Sequence, residues 1–104
     1  MSVQRDRRRP RISCLCPARI SWEDAEGRTS YAQAKCLDVS EEGMRIEVLR
    51  PIPVHARILL RADAINVSGS ATVKHVTPRR AKYILGLNLS QALRHELLTA
   101  IRQP

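Results

Sequence analysis

The sequence predicts an all-β chain: a six-stranded antiparallel β-barrel, closed by a C-terminal α-helix and preceded by a flexible basic segment. Three observations predict it. Apolar and polar residues alternate over most of the length, which is the period of half-buried strands. Short runs of Gly, Pro, Asp and Ser interrupt that alternation at close intervals, as turns do. Only beyond residue 90 does the apolar spacing change to three and four, the period of a helix. With 104 residues the chain is a single domain by length. It divides into an Arg-rich leader over 1–11 and a barrel with its helix over 12–104, the helix occupying about 90–102.

The elements follow in order. In "ISCLCPARISW" Ile12, Cys14, Cys16, Ala18, Ile20 and Trp22 fall on one face of a long first strand. Pro17 lacks an amide hydrogen and belongs at an edge or a bulge. "EDAEG" is a turn in which Gly27 takes a positive φ. "RTSYAQAKCLDV" is the second strand, and the tight connection "SEEG" leads to the third, "MRIEVL", with Met44, Ile46 and Val48 inward. "RPIP" breaks the pattern. "HARILLRA" is the fourth strand, with Ile58 and Leu60 on one side and Arg57 and Arg61 on the other. "DAINVSGS" is expected to be a loop, "SATVKHV" the fifth strand, "TPRR" a turn and "KYILGLNL" the sixth strand. Ser90 caps "SQALRHELLTAIRQ", whose Leu93, Leu97, Leu98 and Ile101 form one face, long enough to cover a barrel mouth.

Composition narrows the function. Hydrophobic residues make up 43%, too many for a wholly disordered chain. Aromatics are 3% and Phe is absent, so the stacking platforms of sequence-tolerant single-strand binders are scarce. The net charge is +8, carried by 15 Arg and only 3 Lys. Arginine is preferred where phosphate or a base edge is met bidentately, so the partner is anionic. No stretch reaches the roughly 18 apolar residues of a membrane span, and no apolar run follows the basic start as in a secretory signal. The odd number of cysteines without CxxC spacing reads as reduced thiols in the cytoplasm. His55, His75 and His95 are scattered without ligand spacing, so neither a metal nor a cofactor is expected. No Ser-His-Asp set or carboxylate pair is discernible, and no catalytic residue is assigned: the chain reads as a non-enzyme.

Two segments stand apart from the strand pattern. "RDRRRPR" places five arginines within residues 5–11. Alone it is compatible with a solvated tail, a nucleic-acid arm, a membrane-surface patch or half of an anion site. "DVSEEG", residues 38–43, joins the second and third strands. Asp38 and Ser40, two apart, project to one side, and Gly43 supplies a backbone angle or a close approach that a side chain would block. Alone this stretch is compatible with a plain hairpin turn. Glu41 and Glu42 are expected to face solvent. Arg45 and Arg57 point outward from barrel strands and are read as solvated strand positions, with an extension of the anionic site as the alternative.

Taken together and in order, the Arg segment, the apolar strand after it and the Asp-x-Ser-x-x-Gly turn after the next strand resemble the PilZ domain. The resemblance covers nearly the whole chain and includes "YILGLNL", where the last strand of that family usually carries a glycine. It implies a receptor for the bacterial second messenger cyclic di-GMP. The RxxxR arginines would be Arg7 and Arg11 with Arg8 as helper, and Asp38, Ser40 and Gly43 the turn positions. Guanine offers N7 and O6 to an arginine and donors on its opposite edge to a carboxylate such as Asp38. Five like charges resist ordering alone, so the leader is expected to act as a switch that closes on the dianion and relays the signal to a separate, unidentified protein. Two other readings remain: a PilZ-like adaptor that binds protein without nucleotide, and a small basic barrel that binds nucleic acid.

Overall fold

A computed structural model describes residues 12–40 and 43–102. The Arg-rich leader over 1–11, with Arg7, Arg8 and Arg11, lies outside the described residues, as do Glu41 and Glu42. The elements are β1 (Ile12–Glu23), β2 (Thr29–Ser40), β3 (Gly43–Val48), β4 (Arg57–Ala62), β5 (Val67–Arg79), β6 (Lys82–Leu89) and α1 (Gln91–Arg102). The strands form a closed barrel in the order β1-β2-β3-β6-β5-β4, antiparallel at every seam. Each strand turns alternate residues inward: Arg57, Leu59 and Arg61 of β4 are exposed while Ile58, Leu60 and Ala62 are buried. Met44, Ile46 and Val48 of β3 and Leu85, Leu87 and Leu89 of β6 share the same core.

The seam that closes the barrel is short. β1 pairs with β4 only from Arg19↔Arg61 to Trp22↔Ile58, so the first half of β1 has β2 on one side and no β4 on the other. Pro17 lies in that half, opposite Lys35. The Asp24 amide donates to the Arg28 carbonyl across the hairpin (2.8 Å). Ladder bonds then fall on every second pair, and Pro17 occupies a non-bonded position with its nitrogen turned from β2. At the hairpin end, Gly27 has φ 81°.

The helix packs where the sequence places it. The Ser90 hydroxyl accepts a hydrogen bond from the Leu93 amide (3.2 Å), satisfying one of the unpaired donors of the first turn. The Ser90 amide donates to the Ser70 carbonyl (3.0 Å), tying the cap to β5. Leu93 and Leu97 are fully buried in the barrel core. Gly69 makes room for this: a Cβ there would lie 2.8 Å from the Cβ of Leu93.

Two connections differ from expectation. The loop expected over 63–70 is only a 3-10 turn, Asp63–Ile65, followed by Asn66 in the left-handed region at φ 54°; β5 has begun by Val67. Ser and Gly there signal a loop by composition, yet Val67 pairs with Ala62 and Gly69 with Leu60 in unbroken register. At the other end the expected turn "TPRR" shrinks to Arg80 and Ala81, because Pro78 and Arg79 still pair with Tyr83 and Lys82. Arg80 takes the positive φ, 58°, that so tight a hairpin demands. Ile52, between the two prolines that break the pattern, is buried in the core.

Candidate functional site

The turn between β2 and β3 is more than a solvated hairpin. Asp38 and Ser40 are 8% and 1% exposed and are the buried polar residues among those described. Val39 between them points into the core, so Asp38 and Ser40 share the outer face, as their spacing requires. Burial of a carboxylate and a hydroxyl requires hydrogen-bond partners. One for Asp38 comes from β3. Arg45 stands directly opposite it; its Nε donates to both Oδ1 (3.2 Å) and Oδ2 (3.0 Å), and its Nη2 donates to Oδ2 as well. The bond to Asp38 raises the Arg45 pKa, fixing the guanidinium in its charged form. Arg45 is therefore not the solvated strand residue that alternation implies. This grip orients the Asp38 carboxylate from the β3 side.

Two irregularities aim the site. β2 carries an extra residue against β3 between Cys36 and Asp38, and β5 against β6 between Val73 and His75. Bulges of this kind re-aim side chains. The result is one row across five strands: Ser13, Asp38, Arg45, Gly86 and His75 are successive register partners. The His75 ring lies over Gly86, where any Cβ would collide with it. Gly43, paired with Ser40, is needed for close approach rather than for its angle: a Cβ there would meet the Leu87 carbonyl oxygen of β6. A cavity of about 170 Å³ opens here, lined by Gly43, Met44, Arg45, Lys74, His75, Gly86 and Leu87. That is below the roughly 300–1,000 Å³ of a preformed small-molecule pocket. It can seat part of a ligand and presents cationic and imidazole groups to it.

The structure thus brings Asp38, Ser40 and Gly43 together on the outer face at one barrel end. The leader's point of attachment is at the same place: Ile12, to which Arg11 is bonded, is the register partner of Val39, and Ser13 of Asp38. Sequence reasoning held Arg45 only as a less favoured extension of the anionic site, and it missed Lys74, His75 and Gly86 as members. Arg45 had a findable signal, because a two-residue connection after Ser40 forces Asp38 and Arg45 opposite each other. His75 had none, since its place depends on the bulge in β5. Among the described residues no helix is long and apolar enough to cross a membrane.

The model of the PilZ domain family matches residues 5–103. No curated protein matches. Among solved structures the chain is similar to the PilZ domain with c-di-GMP of YcgR from Escherichia coli, at 17% identity and a TM-score of 0.66, over 90% of this chain and 87% of that one. At that identity the likeness concerns the fold, a closed barrel with a C-terminal helix. The family match spans both the Arg segment and the turn, and on it this chain belongs to the PilZ domain family.

Proposed function

We propose that the chain is a cytoplasmic, non-enzymatic receptor for cyclic di-GMP. Arg7, Arg8 and Arg11 of the leader bind it together with Asp38, Ser40 and Gly43 of the β2–β3 turn, and ordering of the segment over 1–11 relays the signal to a separate protein. The observation that carries the reading is the register of β1. The leader departs from the strand position beside Val39, and the four-residue step from Arg7 to Arg11 spans at most about 14 Å. Both segments can therefore meet one ligand.

The chemistry divides by edge. An arginine of the leader donates in parallel to guanine N7 and O6. Asp38, oriented by Arg45, accepts from N1–H and the N2 amino group on the opposite edge. Ser40 donates to a phosphate oxygen, and Gly43 lets the turn lie close to β6. The leader is charged and unpatterned because it is a clamp. Ordering each residue opposes binding by ~1–2 kcal/mol, and charge-assisted bonds to two phosphodiesters offset it. The similar YcgR domain carries c-di-GMP in its own solved structure, which supports the ligand class.

Calorimetric titration with cyclic di-GMP tests this. The native chain should bind at micromolar or tighter concentrations, and Arg7→Ala, Arg11→Ala and Asp38→Ala should each weaken binding by about tenfold or more. A folded chain that takes up no cyclic di-GMP would instead be an adaptor that works through protein contacts alone.

A further inference from the structure

Nearer the turn of the β1–β2 hairpin, the outer face of β2, β1, β4 and β5 holds a second concavity of about 530 Å³. Three of its lining residues, Tyr31, Ser21 and Leu59, form a register row that Ser70 continues beyond the concavity. Small serines alternate there with two large side chains that face solvent, Tyr31 at 71% and Leu59 at 60% exposure. The β-strand alternation that should place polar residues outward is broken at Leu59, which stands outward between Arg57 and Arg61. The adjoining row pairs Arg19 with Arg61. Both guanidiniums are tethered to one carboxylate, Arg19 Nη2 to Asp63 Oδ2 and Arg61 Nε to Asp63 Oδ1, each at 2.8 Å. Each arginine has further N–H donors beyond the one used on Asp63, held in place by that tether.

We propose that this face is the output surface of the receptor: a protein segment sets an aliphatic or aromatic side chain between Tyr31 and Leu59, over Ser21, while its neighbouring carboxylates meet Arg19 and Arg61. The proposal rests on the reading that the signal passes to another protein. Charge selects the occupant. Lys35, Arg19, Arg57 and Arg61 outnumber Glu23 and Asp63 on this face, so a second copy presenting the same face would bring like charges together. A nucleic-acid backbone would run into the Asp63 carboxylate and an apolar centre. An acidic, apolar-anchored peptide satisfies both rows, and Tyr and Arg are the residue types that dominate binding energy at protein interfaces. β1 connects the two sites: it carries Arg19 and Ser21, and its first residues pair with Val39 and Asp38 beside the nucleotide site.

A random peptide library displayed on phage and panned on the full chain, with and without cyclic di-GMP, tests the proposal. Enriched peptides should combine Asp or Glu with Leu, Phe or Trp. Their affinity, read by fluorescence anisotropy of synthetic copies, should fall by about tenfold or more in Leu59→Glu, Arg61→Glu and Ser21→Trp. Cooperative thermal unfolding should show that these variants fold. Basic or patternless peptides, no enrichment, equal binding to Leu59→Glu, or self-association abolished by Leu59→Glu would each overturn it. Leu59→Glu should still bind cyclic di-GMP normally. Asp38→Ala should lose the nucleotide yet still bind, without nucleotide, the peptides selected in its absence, so failure of the nucleotide site reads separately from failure of this surface.

Discussion

Gly43 and Gly86 sit on neighbouring strands of the site, and a methyl group at either meets a different obstacle. At Gly43 it meets the Leu87 carbonyl oxygen, part of the backbone. At Gly86 it meets the far end of the His75 side chain. Backbone cannot step aside without parting β3 from β6, whereas an exposed imidazole can swing out. Gly43→Ala should therefore destabilise the fold by roughly 1–3 kcal/mol, while Gly86→Ala should change stability by less than about 1 kcal/mol and displace the His75 ring. Denaturant unfolding measures the first, and the shift of the His75 ring protons the second. Equal losses in both variants would contradict this account of the two glycines. The same residues show what the sequence could and could not disclose. That Gly43 was required was legible from the turn; that its obstacle was a carbonyl of β6 was not, because nothing local encodes which strand lies across. Arg45 read as a solvated strand position by alternation alone, whereas the register of its hairpin makes it the partner of Asp38.

Among the elements, the β1–β4 seam is the shortest pairing in the barrel, and it has an ionic fastener at its edge. Asp63, just past β4, binds Arg61 of that strand and Arg19 of β1. Its pKa is lowered from the ordinary 3.8, first by the hydrogen bond from Arg61, with desolvation opposing and the charges of Arg61 and Arg19 adding. A depressed carboxyl contributes stability above its ordinary value and loses that contribution as pH falls through the depressed one. The stability difference between the native chain and Asp63→Asn should hence be constant from neutrality to about pH 4 and shrink below it. Its exposure keeps the effect small and salt-sensitive. A difference that widens on acidification would contradict the pairing. Strands with clean alternation, such as β3 and β4, were legible almost residue by residue. β5 was not: Ser68, Gly69 and Ser70 have loop composition, and they are strand because Leu60 pairs with Gly69 and Leu93 packs against it. Those are contacts from distant parts of the chain.

For the whole molecule, the long β1–β2 hairpin explains how two segments far apart in sequence have neighbouring attachment points. The Arg run and the acidic turn lie far apart along the chain, and the β1–β2 hairpin returns Ser40 to the start of β1. Half of the net charge of +8 precedes residue 14, in a segment that joins the barrel beside the β2–β3 turn. Tyr31, Leu59 and the tethered arginines lie toward the turn of the β1–β2 hairpin, which separates the surface proposed for output from that proposed for input along these strands. The order of the motifs was legible in the sequence; the convergence of their attachment points follows from the register of β1 against β2. Nuclear Overhauser contacts within the complex with cyclic di-GMP test the central claim most directly. The account predicts contacts from the guanine H8 protons to Arg7 or Arg11, and from the imino and amino protons of the bound ligand to residues 38–43, in a single complex. Contacts confined to one of the two segments, or leader signals that stay unmoved at saturation, would contradict it.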